Sequence, residues 1–260
     1  MIIDAHTHLC AEMGHLPSGV PHFYPSGTGE ETVRILDVAA IDKATVFAAA
    51  WHGDVVDPTY KDGNDVVGKA SQDFPDRIIP FGRVNPNYGP KAIAELERCV
   101  DMYGIRGIKL HPDWDIFVPS DPNIMYPVAE VAEKHELILS FHCGQGDYYS
   151  HSQPTWFLDL AEAFPTVNII LLHMGFRLWH DAVSAAKQRP NIYLETSSIS
   201  PGKVFLAIKG IGPERVIYGS DTPFVLPQEE IVKIRHMPGL SDEEKALILG
   251  GNLARLLNIE

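Results

Sequence analysis

Met1-Ile2-Ile3-Asp4-Ala5-His6-Thr7-His8-Leu9 opens the chain as a short apolar run ending in two histidines one residue apart. Residues i and i+2 of a strand face the same side, so a strand ending this way sets two imidazoles next to each other. Neutral imidazole is a good zinc ligand, and a pair carried on rigid backbone needs little further ordering. Alone, the pattern is common by chance. Three later apolar runs also end on a ligand type: Leu137-Ile138-Leu139-Ser140-Phe141-His142, Ile169-Ile170-Leu171-Leu172-His173 and Val216-Ile217-Tyr218-Gly219-Ser220-Asp221. Four strand ends carrying His, His, His and Asp are hard to account for by packing. They predict a metalloenzyme.

Working outward, strands are predicted at 2–8, 44–50, 77–85, 105–111, 137–143, 167–173, 192–196 and 215–221. Helices alternate with them at 30–41, 62–74, 90–103, 123–135, 154–164, 178–187 and 202–209. In the third of these, Ile93, Leu96, Val100 and Tyr103 recur at helical spacing. Strands buried on both faces read as near-continuous apolar runs, and eight of them with intervening helices give an α/β fold of the (β/α)8 TIM-barrel type. One domain over 1–260 is the simplest account. A doubly wound open sheet is the rival, but the glycine fingerprint expected after its first strand is absent. A tail adds helices at 227–236 and 242–257, expected on the outside of the barrel. Ser241 caps the second, with Glu244 at its third position.

Composition excludes several classes. A formal net charge of −13 argues against a general nucleic-acid binder, which needs basic surface to neutralise phosphate. No run approaches the roughly 20 apolar residues that span a bilayer. Cys10, Cys99 and Cys143 are an odd count without framework spacing, which suits a reducing compartment. With no charged leader before the first strand, the expectation is a cytoplasmic protein acting on a small molecule. The loop 10–28 is the one long stretch without periodicity. Its His15, His22, Phe23 and Tyr24 favour a lid over the mouth, and its aromatics would also fit a homodimer in which such loops pack together.

Active sites of this fold sit at the C-terminal strand ends. His6, His8, His111, His142, His173 and Asp221 all fall there, although apolar runs alone place the strands. His15, His52, His135, His151, His180 and His236 are instead expected to be ordinary core or rim residues. Lys109 and His111 share a face of the fourth strand. Arg83, Asn85, Trp51, His52, Tyr148 and Arg177 follow or end strands on the same rim, where Arg83 or Arg177 could clamp a substrate carboxylate. Cys143 has the opposite strand parity from His142, and Cys10 lies beyond a strand end, so neither joins the ligand set.

These motifs resemble the amidohydrolase-related superfamily of metal-dependent hydrolases, in particular the branch containing aminocarboxymuconate-semialdehyde decarboxylase. The matching segments are Asp4-Ala5-His6-Thr7-His8, Gly107-Ile108-Lys109-Leu110-His111-Pro112, Phe141-His142, Leu172-His173-Met174-Gly175, Tyr218-Gly219-Ser220-Asp221-Thr222-Pro223-Phe224 and Gly251-Asn252-Leu253-Ala254-Arg255-Leu256-Leu257. They run through the whole chain in order. The resemblance implies one divalent metal, zinc as the first choice, held by His6, His8, His142 and Asp221. It implies Asp221 as proton acceptor from a metal-bound water and His173 as general base or electrophile. In related binuclear enzymes a carboxylated lysine on the fourth strand bridges two metals, whereas the decarboxylase-like branch uses one. Lys109 and His111 are therefore expected to face substrate, unless Lys109 pairs with a buried carboxylate such as Asp4 or Glu195. The expected activity is hydrolysis of a small amide, lactone or ester by activated water. The alternative is non-oxidative decarboxylation of an unsaturated or aromatic acid. Nuclease action is disfavoured by the acidic balance, and a non-catalytic barrel by the complete ligand set.

Overall fold

The computed structural model describes residues 1–9, 27–49, 60–144 and 151–259. Eight parallel strands form it: β1 Ile3–Leu9, β2 Lys43–Ala48, β3 Ile78–Arg83, β4 Gly107–Leu110, β5 Ile138–His142, β6 Ile169–Leu172, β7 Ile192–Glu195 and β8 Val216–Ile217. They pair in sequence order, and β8 returns to β1 through Ala5 N to Tyr218 O (3.1 Å) and Asp221 N to His6 O (2.8 Å). The result is a (β/α)8 TIM barrel.

Helices follow the strands: α1 Gly29–Ala39, α2 Lys61–Asp73, α3 Pro90–Tyr103, a short α4 Pro112–Asp115 and α5 Pro122–Lys134. Then come α6 Leu158–Ala163, α7 Trp179–Gln188, α8 Pro201–Ile211, α9 Pro227–Arg235, α10 Asp242–Ala246 and α11 Asn252–Leu257. Pro90, Pro112, Pro122, Pro201 and Pro227 stand at helix starts, where the missing N–H has no intrahelical acceptor to lose. Among the described residues no helix is long and apolar enough to cross a membrane.

Alternation along the strands builds two apolar layers. Val46, Ile108, Leu139, Leu171 and Leu194 pack outward on Leu36, Leu96, Val128, Ala182 and Ala207 of the helices. Ile3, Ala5, Phe47, Ile79, Phe81, Ile138, Ile170, Leu172, Tyr193 and Ile217 fill the inside. Burying one such side chain contributes roughly 1.5–3 kcal/mol, less the entropy of ordering it. Gly107 opposes Phe81, and a Cβ there would lie 2.3 Å from the ring.

The tail departs from the expected single outer helix over 242–257. Ser241 and Glu244 do form the reciprocal cap. The helix then opens into a π turn, Leu247–Gly251, before α11. Gly250 packs so closely that a Cβ would stand 2.4 Å from the Met1 carbonyl. Leu253 and Leu257 of α11 join the inner layer rather than lying outside, so α11 closes the N-terminal end of the barrel. Chemistry is left to the opposite end.

Candidate active site

Parity along each strand selects what faces the upper interior. Phe81 inside puts Arg83 inside, and its register partner is Lys109. Ile138 leads through Ser140 to His142, and Tyr193 leads to Glu195. On β1 the same count fails. Ile3 and Ala5 lie inside, which would turn His6 and His8 outward. Asp4 pairs with Ala44 but Thr7 with Val46, so β1 spends one residue more than β2 over this interval. Such a bulge re-aims side chains, and here it swings both histidines into the barrel. Asp4 pins it: its Oδ1 accepts from the backbone of His6 and of Ser220, each at 2.9 Å. Burial pushes the Asp4 carboxyl up to about 7.

Three donor atoms converge at the mouth. His6 Nε2 and His8 Nε2 are 3.2 Å apart, and each is 3.2 Å from Asp221 Oδ1. Donors about 2.0–2.1 Å from one tetrahedral ion stand roughly 3.3 Å apart, so this triangle fits one face of a zinc-type coordination tetrahedron. Chemistry agrees with geometry. Glu195 Oε2 lies 3.2 Å from His6 Nδ1; a carboxylate only accepts, so the Nδ1 proton is committed there and Nε2 offers its lone pair. Burial first, then the neighbouring histidines and Lys109, holds His6, His8, His142 and His173 well below the ordinary imidazole range, which keeps them neutral as ligation requires. Burial also pushes Asp221 well above the usual carboxylate range, with Lys109 opposing. A cation in the triangle would reverse that shift.

His142 and His173 complete the cluster. His142 Nε2 is buried without a hydrogen-bond partner, which suits a fourth ligand. His173 offers a ring nitrogen within 4.8 Å of a His6 ring nitrogen and an Asp221 carboxylate oxygen. Its Nδ1 is 2.9 Å from Ser197 Oγ, which in turn donates to Glu195 Oε2 at 2.9 Å. The His173 backbone N–H donates to the same carboxylate oxygen. Glu195 and Ser197 thus tie both Nδ1 atoms and leave both Nε2 atoms to the mouth. His173, Met174 and Phe176 have φ of 55°, 46° and 46°, and Asp221 has 63°. Left-handed non-glycine residues are uncommon and cluster at functional sites.

A second set, His111, Asp113 and His142, also has ligand atoms within 4.8 Å, but it does not fit an ion. The His111 and His142 rings are stacked 3.9 Å apart at 9°, and lone pairs lying in near-parallel planes do not meet at one point. The Asp113 carboxylate is occupied by Ser152 Oγ and by the His151 N–H. Trp114 stacks on the other face of His111 at 4.2 Å.

Lys109 is buried beneath the mouth with Nζ 4.9 Å over the Phe47 ring. It makes no ion pair with Asp4 or Glu195, and burial with the adjacent Arg83 lowers it from the usual lysine range. Arg83 is fully buried, whereas Arg177 is exposed on the turn after β6. His135 pairs with Glu97 at 2.8 Å, as a rim histidine should. Cys143 is buried and donates to Ser152 O, away from any ligand role. Residues 10–26 of the lid expected over 10–28, the aromatics expected at a dimer contact, and Cys10, Trp51, His52 and Tyr148 lie outside the described residues. Sequence reasoning missed Ser197 and placed Glu195 only as a partner for Lys109. The available signal was parity: Tyr193-Leu194-Glu195 ends an apolar strand on an inward carboxylate.

A parallel barrel with His-x-His on its first strand and an aspartate after its eighth defines a class of metal-dependent enzymes. A family model described as Amidohydrolase matches residues 3–259, and the chain belongs to that family. Similar solved structures include 5-carboxyvanillate decarboxylase from Sphingomonas paucimobilis, with 19% identity, 100% of this chain and 99% of that one covered, and a TM-score of 0.76. Dihydroxybenzoic acid decarboxylase from a Polaromonas species, with bound manganese and an inhibitor, aligns at 17% identity over 99% and 96% of the two chains, TM-score 0.78. 4-Oxalomesaconate hydratase from Rhodopseudomonas palustris aligns at 21% identity over 99% and 96%, TM-score 0.73. At these identities the likeness is one of fold.

Proposed function

We propose that this chain is a metal-dependent carboxy-lyase that removes carbon dioxide from an unsaturated or aromatic carboxylic acid. His6, His8, His142 and Asp221 would hold one divalent ion, zinc or a similar metal, and Lys109, His111 and Arg83 would face the substrate. Arg177, exposed on the rim, would reach substrate only from outside the mouth. When bound, such an ion supplies a Lewis acid that polarises substrate oxygens or acidifies a water.

The observation that carries the reading is the buried chain from His173 through Ser197 to Glu195. Replacing a carboxyl by hydrogen requires a proton delivered to carbon, and this chain sets a neutral imidazole beside the candidate ligands with its outer nitrogen free. His173, once protonated at Nε2, gives that proton to the carbon bearing the carboxylate. The carbon–carboxyl bond then breaks, its electron pair restores the unsaturated system, and carbon dioxide leaves. His173 regains a proton from solvent. The two decarboxylases sharing this fold support lyase over hydrolase. Hydrolysis is the second reading, favoured by Asp221, whose Oδ1 stands 3.2 Å from both His6 Nε2 and His8 Nε2, where its carboxylate would accept a proton from an attacking water.

The test is carbon dioxide release by metal-loaded protein from hydroxybenzoates and unsaturated diacids, run beside lactone, amide and ester panels. Metal-dependent release supports the lyase; cleavage confined to the ester or lactone panels supports hydrolysis instead.

A further inference from the structure

Arg83 ends β3, and Lys109 stands beside it on β4 as its register partner. Their exposures are 0% and 1%. Like charges side by side in an interior repel, yet among the described residues neither has a carboxylate within ion-pair distance. Arg83 Nη1 donates to the Ala48 carbonyl at 3.2 Å, while Nε and Nη2 have no hydrogen-bond partner. The Arg83 charge acts on Asp115, whose Oδ1 is taken by the Tyr60 hydroxyl and whose Oδ2 is also without a partner, whereas among carboxylates Lys109 feels Asp221 first.

The guanidinium is nonetheless held firmly. Asn64 clamps the Arg83 backbone from both sides, accepting from its N–H at 2.8 Å and donating to its carbonyl at 2.9 Å. Tyr60 lies beneath the guanidinium at 4.7 Å and Trp114 at 5.6 Å. A rigid, buried charge with unused donors is costly unless something arrives to pair with it.

Strand order places that something. β3 and β4 stand across the barrel from β7 and β8, which lead into Glu195 and Asp221. A ligand spanning the mouth would meet the His6–His8–Asp221 triangle at one end and Arg83 at the other, with the Lys109 charge reaching the triangle itself. A carboxylate that departs as carbon dioxide gives up its charge, so a cationic clamp on it would stabilise the ground state more than the transition state. The clamp suits an anionic group that keeps its charge throughout.

Building on the carboxy-lyase reading, we infer that the substrate is a diacid: one carboxyl is lost beside His173, and a second, retained carboxylate is seated on Arg83 Nε and Nη2 with Lys109 alongside. The side-on face of a guanidinium matches a carboxylate in two parallel hydrogen bonds.

Calorimetric titration of metal-loaded protein tests this, with benzene-1,3- and benzene-1,4-dicarboxylate as diacid probes and benzoate as the monoacid. At least one diacid is expected to bind tenfold or more tighter than benzoate. Arg83→Gln should abolish that advantage, and Arg83→Lys should restore part of it. Equal binding of all three probes by the wild type overturns the inference, as does an advantage that survives in Arg83→Gln. Should Arg83→Gln not fold, the wild-type comparison and Arg83→Lys still decide. A diacid preference without carbon dioxide release from any diacid would sink the lyase reading and leave the anion seat standing. Release from monoacids with no diacid preference would do the reverse.

Discussion

Glu195 Oε2 lies 3.2 Å from His6 Nδ1, so a carboxylate at the end of β7 fixes the tautomer of a histidine on β1. The same oxygen accepts from Ser197 Oγ and from the His173 backbone. Gly219 leaves it room, since a Cβ there would stand 2.4 Å from Glu195 Oε1. Outer partners of this kind typically change metal affinity by about 10–100-fold. Glu195→Gln should therefore keep the fold and weaken metal binding by that order, read by competition with a chelator. Unchanged affinity would show that Glu195 only fills space.

Ser197→Ala removes the link between His173 and Glu195 and leaves the ligand triangle intact. Metal content should stay near that of the wild type while kcat falls about 10- to 100-fold, with KM little affected. Ser197→Thr, which restores a hydroxyl, should recover part of the loss. A parallel fall in metal content would place Ser197 among the supports of the ligands instead.

His173→Asn is expected to retain metal and to lower turnover by roughly 10²–10⁴-fold, the range for a lost general acid or base. Asp221→Asn keeps a weak oxygen ligand, so it should bind metal less tightly and also turn over slowly. An empty site in His173→Asn would make that residue a ligand and move the proton role to Lys109 or His111.

The barrel was legible because its strands are buried on both faces and stop at polar ends. The eight predicted strands and the seven helices between them match observed elements within a few residues, apart from the last strand. There the predicted 215–221 contracts to Val216–Ile217, since backbone bonds to His6 and His8 draw Asp221 and Thr222 towards β1. The histidines were legible as strand ends. Their inward aim was not, because it depends on one extra residue in β1, and a bulge leaves no mark in apolar periodicity. Nor was α11 legible as the floor of the barrel: Leu253 and Leu257 look like any amphipathic stripe, and only the close packing of Gly250 on Met1 shows where that stripe goes.

Asp4 offers a test by pH. Its carboxyl is raised from 3.8 to about 7 by burial, so the folded chain holds a proton that the unfolded chain has released. Its contribution to stability is full below 3.8 and is lost as pH rises through about 7. In chelator-treated protein, Asp4→Asn should thus gain stability relative to the wild type between pH 4 and 7, with no further change above. Urea midpoints across that range check it. A constant difference would mean that Asp4 is ionised in the fold throughout.

One divalent ion, held by the His6–His8–Asp221 triangle with His142, is central to the proposed chemistry. Elemental analysis of purified wild type and His6→Ala, after exhaustive dialysis against trace metal-free buffer, measures this directly. Close to one ion per chain in the wild type and almost none in His6→Ala is the predicted result. Two ions per chain, or a full ion retained by His6→Ala, would contradict it.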